Sequence, residues 1–180
     1  MAYGPEMSVR VAKACCWEPS AVPTVSKNRV AWEDRFRVPT PEELLHGPTK
    51  QADALIAECR ERLLALEGVT EELSWHGVPW RWTFAYRLED ADPTRAFAYL
   101  VPQPGRARIA IPLTQPQLAA LPLRKLSKFI RDGLLHATEV GGVRWAQWEP
   151  TARTQCEEIL KIVEIKLQTS LQAEAALAGN

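Results

Sequence analysis

The spacing of hydrophobic positions along the chain changes period, and each period predicts a different kind of element. Between residues 50 and 67, apolar side chains recur every three or four positions, which predicts a helix that buries one stripe. From residue 69 the period becomes two, most clearly between Trp80 and Leu88, where every even position is large and apolar. Short alternating runs joined by turns predict an antiparallel meander.

Helical spacing returns after Pro112 and predicts helices over residues 122–136 and 151–172, with an extended segment around Trp145 between them. A short helical turn is predicted to begin at Thr40. The order of elements predicts an α+β fold, an antiparallel sheet of about four to five strands with helices packed on one face.

The pattern divides the chain into three sections. We expect a single α+β domain over residues 42–172 and an alanine-rich tail over residues 173–180. Residues 1–41 contain five prolines, which interrupt any long helix. Because Trp17 and Trp32 lie in this section, we interpret it as an N-terminal arm that packs on the domain or forms a homodimer.

Composition limits the class of protein. The 180 residues suit one domain plus an arm, and Lys+Arg and Asp+Glu are both 22. No run approaches the roughly 18 apolar residues of a membrane helix, and the N-terminus lacks a signal-like apolar centre. We therefore expect a cytoplasmic protein with no membrane partner, and the neutral total charge does not favour a nucleic-acid partner.

The four cysteines do not form a metal or redox motif, since no C-x-x-C and no cysteine–histidine cluster is present. Cys59 and Cys156 each lie on the apolar stripe of a predicted helix. We interpret both as small core residues and not as redox partners.

Two stretches carry a resemblance. The run EELSWHGVPW over residues 71–80, and the ending GVRW at 142–145 followed by Pro150 and a long helix, resemble the YdhG-like family of small bacterial domains. The resemblance covers about residues 42–170 and implies the fold more than an activity. Some members have been described as frataxin-like iron chaperones, which implies an iron- or metal-handling alternative. The acidic residues available for it are Glu42, Glu43, Glu71, Glu72, Glu89, Asp90 and Asp92.

Charge is unevenly distributed despite the neutral total. Residues 93–131 hold seven basic residues and no acidic one, whereas residues 39–72 hold eight acidic and three basic residues. The basic run, which includes Lys125 and Lys128, indicates a site for a phosphate, a carboxylate or a nucleic-acid backbone. The alternative is that these side chains form the solvated face of a helix, or that they meet an acidic helix of the same or a second subunit.

The predicted strands suggest a second candidate. One set of strand residues is expected to face the helices: Trp80, Trp82, Phe84, Tyr86, Phe97, Tyr99, Ile109 and Ile111. Arg81 and Arg108 would then lie on the opposite face among alanines, where small side chains leave room for a ligand and arginine can bind an anion. The alternative is a solvated sheet face or an oligomer interface.

His76 lies in the turn between Trp75 and Trp80, where it could act as an acid–base group or contact a ligand. More often such a histidine only hydrogen-bonds its turn. Phosphate-loop, nucleophile-elbow, zincin and dinucleotide signatures are missing from the sequence.

The leading hypothesis is a non-catalytic module that binds a small anionic ligand or a protein partner. The expected ligand-binding residues are Arg81, Arg108, His76, Trp75, Trp80, Lys125 and Lys128. Metal handling is the first alternative and an enzyme using His76 the second. The sequence assigns no cofactor, no catalytic residue and no metal ligand.

Overall fold

Six antiparallel strands form one sheet in the computed structural model, which describes residues 30–45, 50–89 and 95–178. The strands are β1 Val69–Trp75, β2 Trp82–Leu88, β3 Ala98–Val101, β4 Arg108–Thr114, β5 Thr138–Val140 and β6 Val143–Trp148. Their order across the sheet is β1-β2-β3-β4-β6-β5. The first four strands therefore form the predicted meander, and a β5–β6 hairpin extends it beyond β4.

Helices complete the α+β fold that the sequence predicted. They are α1 Pro41–Leu45, α2 Lys50–Leu64, α3 Gln115–Ala120, α4 Lys128–Leu135 and α5 Arg153–Ala178, with 3-10 turns at Ala31–Glu33 and Leu123–Lys125. The structure describes six strands, one more than the upper end of the predicted range of four to five. The additional strand is β5, whose three side chains are all exposed and so give no alternating pattern.

The ladder register assigns strand residues to two faces, because residues opposite each other in a ladder point to the same side. Phe84, Leu100 and Ile109 are successive partners and define the helix face. Ala85, Tyr99 and Ala110 are likewise successive partners and define the outer face.

Helices α2, α4 and α5 each contact the sheet layer from the helix face. The α2 guanidinium of Arg60 lies 5.4 Å from the centre of the Phe84 ring. On α4, the carbonyl of Ile130 accepts a hydrogen bond of 3.2 Å from Trp148 Nε1. On α5, Lys166 Nζ donates to two backbone carbonyls of the sheet layer. The helices thus pack on one face, as predicted.

A disulfide joins α2 to α5 inside this layer. Cys59 and Cys156 are 97 residues apart in sequence, and their side chains are 0% and 1% exposed. The prediction that both are core residues is confirmed, but the expectation that they take no part in redox pairing is wrong. Each cysteine lies on the buried stripe of its helix, and periodicity alone does not show that the two stripes meet.

Lys166 is a buried charged residue of α5. Its Nζ donates to the carbonyl of Phe97 at 2.8 Å and to the carbonyl of Pro112. Burial lowers the pKa of this lysine to about 7, since a low-dielectric environment disfavours the charged form.

Gly133 allows α4 to approach β6 closely. A Cβ atom at this position would overlap the buried indole of Trp148. The glycine is therefore required by packing, although it lowers the intrinsic helix propensity of α4.

The described part of the predicted arm packs on the domain. Trp32 is 6% exposed, and the backbone carbonyl of Asp34 accepts a 2.7 Å hydrogen bond from Trp82 Nε1. Trp17 and the proposed dimer contacts before residue 30 lie outside the described residues, as do residues 179 and 180 of the tail.

Candidate ligand-binding face

A cluster of aromatic rings lies on the outer face of the sheet. The ring centres of Trp80 and Tyr99 are 5.3 Å apart, those of Trp80 and Trp145 are 5.5 Å apart, and those of Tyr99 and Trp145 are 5.6 Å apart. His76 joins the cluster at 5.4 Å from Tyr99. We call these four residues the ring cluster. Its rings are edge-on or tilted to one another, as in favourable aromatic pairs.

Local backbone geometry explains how Trp80 reaches this face. Arg81 has a φ of +52°, a left-handed conformation that interrupts the extended chain between Trp80 and Trp82. The two tryptophans therefore point to different faces, and Trp82 begins β2 on the helix side. The sequence prediction that Trp80 faces the helices is wrong for this reason.

Tyr99 is the second residue assigned to the wrong face. Its ladder partners are Ala85 and Ala110, both on the outer face, whereas Leu100 points to the helices. The alternation that placed Tyr99 toward the helices was ambiguous, because Ala98, Leu100 and Val101 of the same strand are all fully buried. A strand that is apolar at every position does not show which side faces the helices.

The ring cluster also changes the expected shape of the site. Thr83, Ala85 and Ala110 on the outer face are 0% exposed. The small residues that were expected to leave room for a ligand are thus already covered. Any ligand on this face would lie on the half-buried rings of Trp80, Tyr99 and Trp145 and not directly on the alanines.

Two arginines lie on the outer face, on opposite sides of the row formed by Ala85, Tyr99 and Ala110. Arg87 follows Ala85 by two residues on β2, and Arg108 precedes Ala110 by two residues on β4. Each is therefore displaced about 7 Å along the strands from the row that contains Tyr99. A ligand with an anionic group at one end could rest on the rings and reach one guanidinium.

The two guanidiniums differ in their partners. Arg87 forms an ion pair with Glu72, whereas Arg108 Nη2 donates to the side-chain oxygen of Gln103 at 2.8 Å and forms no ion pair with another described residue. Both Nε atoms are buried without a hydrogen-bond partner in the described part of the chain. Arg108 is therefore the stronger candidate for binding an anion.

His76 is also hydrogen-bonded to its neighbour on the outer face. Its Nε2 lies 2.9 Å from the hydroxyl oxygen of Ser74. Partial desolvation lowers the pKa of His76, which favours the neutral form of the imidazole. Burial raises the pKa of Tyr99, with a smaller opposing effect from Arg87, so its phenol stays protonated and can donate a hydrogen bond.

The other sequence-predicted ligand residues lie elsewhere. Arg81 forms an ion pair with Glu33 and lies over the Trp32 ring, 4.8 Å from its centre. Trp75 is opposite Trp82 in the ladder and 5.7 Å from its ring, on the helix face.

The 3-10 turn and α4 carry Lys125 and Lys128, both exposed and distant in sequence from the outer-face strands. The structure thus places His76 and Trp80 in the ring cluster with Tyr99 and Trp145. Arg108 and Arg87 lie on the same face, one on each side of the row that contains Tyr99. Trp145 had been assigned only to a strand or extended segment, and its ladder partner Pro112 gives no alternating signal.

The described residues contain no group of three or more His, Cys, Asp or Glu side chains placed to hold a metal ion. Glu71 is bound to Arg60 through contacts of 2.7 and 2.8 Å, and Glu72 is paired with Arg87. Asp90 and Asp92, also considered for iron binding, lie outside the described residues.

Comparison of the chain with protein-family models, curated proteins and solved structures found no match. Among the described helices, none is both long enough and apolar enough to cross a membrane. The site must therefore be interpreted from its own geometry.

Proposed function

We propose that this chain is a non-catalytic binding module for a small anionic ligand that carries a flat ring. The ring cluster would hold the ring of the ligand, and Arg108 would bind the anionic group. The observation that carries the proposal is the contact of Trp80, Tyr99 and Trp145 on the outer face, with ring centres 5.3–5.6 Å apart.

The free energy of binding favours a ligand that carries both a flat ring and an anionic group. Stacking of a base on an aromatic side chain contributes about 1–3 kcal/mol, and a hydrogen bond to a charged group contributes about 1.5–3 kcal/mol. Either alone is offset by the cost of association, so a ring without an anion, or an anion without a ring, should bind poorly.

A thermal-shift comparison tests this requirement with adenosine monophosphate, adenosine and inorganic phosphate as probes at one ionic strength. At about 100 times its Kd, the monophosphate should stabilise the fold by about 2.7 kcal/mol, which raises Tm by about 5–11 °C for a chain of this size. Equal shifts with phosphate alone, or no shift with the monophosphate, would contradict the proposal.

Two neighbouring arginines supply a matched pair of variants. Arg108→Met should reduce the shift by about half, because loss of this outer-face guanidinium weakens binding about tenfold. Arg106→Met should preserve it, since Arg106 is 70% exposed and pairs with Glu149 at 3.3 Å. An equal reduction of the shift in both variants would indicate general electrostatic attraction instead of a site.

A hydrolytic enzyme is the second candidate, favoured by the 2.9 Å contact between Ser74 Oγ and His76 Nε2. A neutral histidine in this position could accept the serine proton, as nucleophile activation requires. A fluorophosphonate probe should then label Ser74, and His76→Asn should prevent the labelling. Absence of label on Ser74 would remove this candidate.

The metal-handling alternative rests on the YdhG-like resemblance, which remains a prediction. The pairing of Glu71 and Glu72 with arginines weighs against it, because a cation would have to displace both guanidiniums. Titration calorimetry with ferrous iron that showed no uptake would exclude it.

The cytoplasmic location also remains a prediction, and the core disulfide weighs against it. Disulfides persist mainly in oxidising compartments and are rare where glutathione keeps thiols reduced. Alkylation of free thiols at the moment of cell lysis would show whether Cys59 and Cys156 are paired in the cell.

A further inference from the structure

A groove on the helix side of the sheet lies on the opposite face from the ring cluster. It runs between α3, the turn Leu123–Lys125, α4 and β6, and has a volume of about 370 Å³. Its lining is mainly aliphatic with two guanidiniums, supplied by Leu118, Leu123, Leu134, Leu135, Arg131 and Arg144. We call it the leucine groove.

Apolar surface continues outward from this groove. Leu134 is 7% exposed, but Leu123 is 50% exposed and Leu135 is 79% exposed. Small-molecule sites enclose most of the surface of their ligand. An open groove with exposed leucines on its margins instead matches the way an amphipathic helix binds, with a row of apolar residues in a groove.

The charge around the leucine groove specifies the partner further. Residues 115–135 carry four basic residues and one acidic residue. The four basic side chains, Arg124, Lys125, Lys128 and Arg131, are exposed and form no ion pair with another described residue. Arg144 pairs with Glu139 only at 3.4 Å, on the exposed surface, where such a pair contributes little.

We propose that the leucine groove binds an acidic amphipathic helix of a partner protein. Leucine-like residues one turn apart would enter the groove, and flanking carboxylates would bind Arg131 and Arg144. This surface is independent of the outer-face ligand site, so the proposal does not rest on the function assigned above.

Other occupants fit the charge less well. Residues 1–29 of the chain hold four basic and two acidic residues, so they would be repelled. A second copy that used the same groove would bring like charges together. A second copy that used its acidic segment over residues 39–72 remains an outcome that the test must distinguish.

Fluorescence anisotropy with synthetic peptides tests the proposal on the full chain. The probe is a labelled peptide with leucines at i, i+3, i+4 and i+7 spacing and glutamates elsewhere. One control has the same composition in scrambled order, and the other has lysine in place of glutamate. We expect the glutamate peptide to bind about tenfold more tightly than either control.

Variants locate the binding. Leu135→Glu and Arg131→Glu are both at exposed positions and should each weaken binding about tenfold. Lys161→Glu changes the same charge on the exposed side of α5 and should leave the affinity unchanged.

The proposal is overturned if the glutamate peptide does not bind, if it binds no better than the controls, or if Leu135→Glu and Arg131→Glu bind like the wild type. If the molecular mass of the wild type increases with concentration while Leu135→Glu remains a monomer, the groove would be assigned to self-association instead.

Discussion

Replacing Cys59 and Cys156 together by alanine removes the disulfide cross-link between α2 and α5. Because 97 residues separate the two cysteines, a chain-entropy estimate for a loop of this size gives about 4.7 kcal/mol of stabilisation. A chain of this length loses about 2–4 °C of Tm for each kcal/mol. We therefore expect Tm to fall by about 10–20 °C.

Thermal unfolding followed by circular dichroism measures this effect. When the wild type is reduced in denaturant and refolded with reductant, its Tm should fall by a similar amount. The double alanine variant should not respond to reductant. A double alanine variant whose Tm lies within about 2 °C of the wild-type value would refute the reasoning, as would peptide mapping that finds no Cys59–Cys156 link.

Three further substitutions test the packing and charge of the core. The pKa of Lys166 is lowered from 10.5 to about 7, so between these values the unfolded chain binds a proton that the folded chain does not, and stability should rise with pH. Urea unfolding at several pH values should show this rise, of about 1 kcal/mol per pH unit, and Lys166→Met should remove it. Gly133→Ala should cost about 1–3 kcal/mol in urea unfolding because the methyl group overlaps Trp148. Glu71→Gln should cost about 2 kcal/mol in the same assay because it leaves the half-buried guanidinium of Arg60 without its ion pair.

Each of these predictions has a matched control variant. Lys161→Met, at an exposed position of α5, should keep the pH dependence. Lys128→Ala, on the exposed side of α4, should not destabilise, and a stabilising Gly133→Ala would show that helix propensity outweighs packing. Glu139→Gln removes an ion pair in which both side chains are exposed, 46% for Arg144 and 58% for Glu139, and should change stability by less than about 0.5 kcal/mol. Equal losses at Glu71 and Glu139 would contradict the distinction between a partly buried and an exposed ion pair.

Much of the fold could be predicted because its elements carry strong local patterns. The stripe containing Cys59 predicts α2, and the alternation of Trp82, Phe84 and Tyr86 predicts the helix face of β2. The strand β5 could not be predicted in this way, because its exposed side chains follow no period. The disulfide was also missed, since pairing depends on how two helices are brought together.

The outer-face site was only partly predictable for related reasons. His76, Trp80 and Arg108 were identified from residue type. The alternation of side chains between the two faces was assumed to continue through Arg81, where the left-handed backbone interrupts it and places Trp80 on the outer face. Tyr99 belongs to a strand that is buried on both sides, so the alternation of apolar and polar positions could not show which face its side chain points to. Trp145 reaches the ring cluster through the β4–β6 pairing, which crosses a long insertion.

The binding of a ring-bearing anion to the outer face is tested most directly by fluorescence titration with adenosine monophosphate. Because Trp80 and Trp145 belong to the ring cluster, binding should change the tryptophan emission and reach saturation. Arg108→Met should weaken this binding about tenfold, an effect of about 1.4 kcal/mol, while Arg106→Met should match the wild type. A titration without saturation, or equal affinity in Arg108→Met and the wild type, would contradict the account.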